Sequence, residues 1–164
     1  REDESIRQNG EIVLSFDNRQ ANNLGFPLPQ GIMRIYQSAP DYARFLGEDY
    51  LQATPNEGRV NLNLGRAFDI TLTRTQSDFV KPNTMQWEVA YTLHLNNNQE
   101  KSADIILKEI IPNPNGAKWE LIESSIPAKL SHNSASWELT LPENSHQNIE
   151  YRVRYLLPEK ELKP

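Results

Sequence analysis

Glu48-Asp49 places two carboxylates side by side, the material of general acid–base catalysis. In an extended segment adjacent side chains point to opposite faces, so this pair cannot converge on one bond. Glycoside hydrolysis needs two carboxyl groups about 5–10 Å apart across a cleft, and the linear pattern supplies neither residue with a distant partner. His94, His132 and His146 are the histidines of the chain, and no two have a chelating spacing. His94 falls on the polar side of an alternating run, and the other two adjoin turn residues. All three read as solvated side chains. Ser124-Ser125 carry hydroxyls but no G-x-S-x-G elbow. A triad is assembled in three dimensions, so the sequence gives no reason to propose one.

Gly65-Arg66-Ala67-Phe68-Asp69 offers an arginine and an aspartate together, a pairing suited to a carboxylate or a sugar. A strand-to-strand corner explains the same residues more simply. Gly65 takes a conformation costly for other residues, Phe68 plugs the core, and Arg66 pairs with a carboxylate or with backbone carbonyls. Aromatic side chains are a further resource, because their faces can stack on sugar rings. Trp87, Trp137, Tyr91, Tyr151 and Tyr155 fall on apolar rows and read as core. Trp119, which follows a Pro/Asn/Gly loop, and Tyr42 are the candidate binding residues.

The elements that position these groups are strands. Met85, Trp87, Val89, Tyr91, Leu93 and Leu95 alternate with Gln86, Glu88, Ala90, Thr92 and His94. Period-two alternation buries one face of a strand and wets the other. Ile149 to Leu157 repeats the pattern, as do Ile12-Leu14-Phe16, Val60-Leu62-Leu64, Ile70-Leu72 and Trp137-Leu139-Leu141. Ala103–Ile111 is more continuously apolar, which predicts a strand covered on both faces or lying near a bulge. Turns punctuate these runs at Pro27–Gly31, Thr54–Gly58, Asn96–Glu100 and Pro112–Gly116. Asp41–Tyr50 lacks the apolar stripe of a helix, and 11 prolines oppose helices generally. The prediction is an all-β, antiparallel sandwich, broadly immunoglobulin-like, of about ten or eleven short strands. One domain over 1–164 is preferred, with a candidate sub-domain boundary at Lys81-Pro82-Asn83.

Composition narrows the function. The 164 residues include no cysteine, which removes disulfides and thiolate chemistry. A net charge of −5 opposes binding to nucleic-acid phosphates. No apolar run approaches the roughly 18 residues of a membrane span. The opening Arg1–Ser5 is charged and does not read as a signal peptide. No cofactor or metal is expected.

Several phrases carry a resemblance. They are Asn23–Gly31, Met33-Arg34-Ile35-Tyr36, Phe45-Leu46-Gly47-Glu48-Asp49, Leu64-Gly65-Arg66-Ala67-Phe68-Asp69, Gln76–Phe79, Trp119–Ile122 and Tyr151–Tyr155. Their order and spacing resemble the C-terminal domain of the mucoidy-inhibitor A-like (MuiA-like) bacterial proteins, a domain of unknown function. The resemblance runs from about Asn18 to Tyr155. It implies the C-terminal part of a longer envelope or exported protein, periplasmic or secreted, and it carries no catalytic residues.

Together these readings favour a non-enzymatic structural or interaction domain. It would present an edge strand or loop to a protein partner or to the rest of its own chain. The alternative is a carbohydrate-binding module for a surface polysaccharide, using an exposed aromatic pair that includes Trp119 or Tyr42.

Overall fold

A computed structural model describes residues 6–38 and 40–158. The charged opening Arg1–Ser5 lies outside the described residues. Among the described residues, ten strands and two single-turn 3-10 helices make an all-β, antiparallel protein. The strands are β1 (Ile6–Asp17), β2 (Gly31–Ser38), β3 (Ala43–Leu51), β4 (Arg59–Val80), β5 (Gln86–Asn97), β6 (Ala103–Ile110), β7 (Lys118–Ser124), β8 (Lys129–Ser131), β9 (Ser134–Leu141) and β10 (Ser145–Leu156). The chain forms two compact units. One runs from Gly10 to Phe68, and the other takes the rest of the chain. The chain passes between them twice, inside β1 after Asn9 and inside β4 after Phe68; Lys81-Pro82-Asn83 lie in the connection from β4 to β5.

The larger unit is a sandwich. One sheet has the order β1-β4-β5-β10-β7 and the other β6-β9-β8. Alternation supplies the core: Val89, Leu93 and Leu95 of β5 meet Ile149, Tyr151, Val153 and Tyr155 of β10. From the facing sheet come Leu107, Ala135, Trp137 and Leu141. Trp87 stacks on Tyr155 at a centroid distance of 5.1 Å. Trp137 is fully buried and donates its indole N–H to Ser124 Oγ at 2.9 Å. The outer face carries ion pairs: Arg154 meets Glu88 directly opposite at 2.9 Å, and Arg152 meets Asp78 at 2.7 Å.

The smaller unit buries Leu51, Val60 and Leu62, with Phe16, Leu28, Met33, Ile35 and Leu64 packed around them. Asn18 is fully buried beside this core. Its amide donates to the carbonyls of Phe26 (2.8 Å) and Pro55 (2.9 Å), and its Oδ1 accepts from the Gly25 N–H (3.0 Å). One side chain thus closes two loops whose backbone groups would otherwise be orphaned. Gly47 lies so close to β4 that an added Cβ would sit 2.6 Å from the Leu64 carbonyl oxygen.

Three sequence expectations are corrected. The Gly65–Asp69 segment is no corner between two strands; it lies within the continuous β4. Gly65 does adopt a positive φ of 115°, but the row of buried residues changes phase across it. Ala67 turns inward and Phe68 is 76% exposed, so Phe68 does not plug the core. The interruption is local, because Ile70 is buried again on the even-numbered row. β6 is not covered on both sides: it is an edge strand with Ile106 and Ile110 exposed and Leu107 buried. In β1, Ile12 and Leu14 are exposed, and Phe16 alone of that row packs on the core.

Candidate functional site

The residues suspected of chemistry have structural partners. Glu48 accepts from Arg34 Nε at 2.9 Å, directly across the β2–β3 ladder, and raises the pKa of that arginine. Asp49 accepts the backbone N–H groups of Asn63 (2.7 Å) and Tyr50 (2.8 Å). Those two donors hold its carboxyl below the usual aspartate range. The two carboxylates therefore diverge, as extended backbone requires. Ser124 Oγ donates to the Ile126 carbonyl at 2.6 Å, besides receiving the Trp137 indole. Ser125 Oγ accepts the Glu150 N–H at 3.0 Å. His94 and His146 come together across β5 and β10 with ring centroids 5.6 Å apart.

A half-buried charge cluster lies in the larger unit. Arg74 Nε donates to Glu109 Oε2 at 2.9 Å, and the Tyr151 hydroxyl donates to the same oxygen at 3.0 Å. The Arg74 guanidinium also lies 3.7 Å from the centre of the Tyr91 ring. Burial, then the neighbouring Glu109, pushes the Tyr151 hydroxyl pKa up. Burial pushes Tyr155 up to about 12. Arg74 of β4 and Tyr151 of β10 thus both bond to Glu109 of β6, which ties the two sheets together.

Of the two candidate binding residues, Tyr42 belongs to the smaller unit and Trp119 to the larger. Trp119, on β7, is half-buried, and its indole N–H donates to the His132 carbonyl at 3.2 Å. It lines an open groove of about 600 Å³ with Lys118, Leu121, Leu130, Ser131 and His132. This groove lies where the edge strands β7 and β8 leave the sandwich unsealed. Tyr42 is 67% exposed and immediately precedes β3.

The largest display of aromatic surface is one that sequence reading missed. β2 and β3 form a two-stranded sheet whose inner face sends Met33 and Ile35 to the core. Its outer face carries three rungs: Ile32 opposite Tyr50, Arg34 opposite Glu48, and Tyr36 opposite Phe45. Tyr36 is 54% exposed and Phe45 52%, and Ile32 and Tyr50 are exposed as well. The strand Gly31–Gln37 has two apolar rows, Ile32/Tyr36 and Met33/Ile35, and the sequence does not say which faces out. The even-numbered row, with Arg34 in its centre, held the clue.

No family model, curated protein or solved structure matches this chain. Among the described residues no cluster of three or more metal-ligating side chains occurs, and no helix is long and apolar enough to cross a membrane.

Proposed function

We propose that this chain is a non-enzymatic structural or protein-interaction domain of a bacterial envelope or secreted protein, related to the C-terminal domain of the MuiA-like family. The observation that carries the reading is the outer face of the β2–β3 hairpin. There Ile32, Tyr36, Phe45 and Tyr50 stay exposed around a single Arg34–Glu48 pair. Contiguous apolar groups cost solvation free energy when left in water, and such patches mark interaction surfaces. Aromatic residues with an arginine among them form the usual energetic centre of a protein interface.

The test is affinity capture of the intact parent protein after cross-linking in its native bacterium. An envelope protein recovered with the parent and lost from Tyr36→Ser/Phe45→Ser supports the reading. Equal recovery with that variant contradicts it.

A second reading, carbohydrate binding, draws on the Trp119 groove with its flanking Asn113, Ser131 and His132. Titration with envelope polysaccharides checks it through indole fluorescence. Quenching that disappears in Trp119→Phe supports it, and an unchanged spectrum contradicts it.

A further inference from the structure

The geometry points to a second copy of this chain as the occupant of the β2–β3 outer face, paired about a two-fold axis that runs along the strands. This inference rests on the interaction reading above and names its partner.

The rungs of the hairpin dictate the axis. Two such faces can stack about 10 Å apart, with a two-fold axis lying between them. An axis across the strands would set β2 over β2, bringing Arg34 against Arg34 and Glu48 against Glu48. An axis along the strands sets β2 over β3 of the other copy. Arg34 then lies over Glu48, Tyr36 over Phe45, and Ile32 over Tyr50. The face is self-complementary in that arrangement alone. Arg34 and Glu48 already pair within one chain at 2.9 Å, and both side chains stay about half exposed or more. Stacking converts two surface ion pairs into a closed ring of four alternating charges, enclosed on both sides by apolar rungs.

The area is adequate as well. The exposed parts of Ile32, Tyr36, Phe45 and Tyr50, with Arg34 and Glu48, amount to about 570 Å² per copy on typical side-chain areas. Two copies would bury about 1,100 Å², above crystal-packing contacts and in the range of weak, transient protein interfaces. The bulge between Ile35 and Tyr36 sets Phe45 opposite Tyr36 despite the extra residue in β3. It keeps the third rung on the same face as the other two.

Sedimentation equilibrium on the intact chain tests the inference. The expected result is a monomer–dimer equilibrium with a dissociation constant of about 100 μM or tighter. Arg34→Glu places four carboxylates together and is expected to weaken the dimer at least tenfold. The double exchange Arg34→Glu/Glu48→Arg restores both the pair within the chain and the ring between chains, so dimerisation should return. That double variant also separates a lost interface from a lost fold. A chain that stays monomeric to about 1 mM overturns the inference, as does a dimer indifferent to Arg34→Glu. A monomer that still captures an envelope protein through Tyr36 and Phe45 overturns the second copy and leaves the interaction reading standing. A monomer whose capture ignores both residues overturns the two together.

Discussion

Tyr36 and Phe45 meet across the β2–β3 hairpin with ring centres 5.5 Å apart and planes inclined at 59°. An inclined contact at that distance satisfies the ring quadrupoles and fixes both rings without burying them. The pair is held in place from behind, where Met33 and Ile35 of the same strand reach the core. The rings therefore form a rigid aromatic surface offered to solvent.

Replacing either ring should separate stability from binding. Tyr36→Ser or Phe45→Ser loses the ring contact, worth about 0.5–1.5 kcal/mol, and little buried area. Urea denaturation is expected to show a loss of that size. Partner capture should fall far more.

Trp137 behaves in the opposite way. It is fully buried, stands 5.1 Å from the Tyr151 ring and donates to Ser124. Trp137→Ala is expected to cost about 3–5 kcal/mol, the range for emptying an aromatic site in a core. Thermal or urea unfolding measures it.

Asn97 ends β5 with its side chain wholly buried. Its amide donates to the carbonyls of Lys101 (2.9 Å) and Pro142 (2.8 Å), and its Oδ1 accepts from the Gln99 N–H (3.0 Å). Asn97→Ala leaves these backbone groups without a partner, at a cost of about 1–3 kcal/mol. Asn97→Asp keeps the acceptor and loses the donors, so urea titration should find it destabilised too.

The fold was legible where burial is one-sided. Trp87–Leu95 and Ile149–Tyr155 showed their inner faces because each strand carries one apolar row and one polar row, although Met85, read on the first row, precedes β5 and is exposed. Around Gly65 the same logic misled, because one residue in a positive-φ conformation shifts the phase and the sequence does not number the shift. The β2–β3 face was hidden by a related ambiguity: a strand with two apolar rows does not reveal which row faces water. Tyr42 is exposed, whereas Trp119 is half-buried. The reach of its indole to the His132 carbonyl depends on a contact 13 residues away that no local pattern encodes.

Alkaline pH should loosen the larger unit. Tyr155 has its pKa raised to about 12 in the folded protein by burial, above the ordinary tyrosine value of about 10. The unfolded chain releases that proton first. The stabilisation is therefore complete below about pH 10 and is lost as pH rises through about 12. Tyr151 is shifted in the same direction. Stability measured between pH 9 and 12 should fall, and Tyr155→Phe should flatten the decline.

The most direct test of the central claim is site-specific photo-cross-linking of the intact protein in its native bacterium. One benzophenone side chain replaces Tyr36, and a control replaces Glu150 on the polar face of β10. The account predicts a discrete adduct, either with a second copy or with an envelope protein, from position 36 and none from position 150. No adduct at position 36, or the same adducts from both positions, would contradict it.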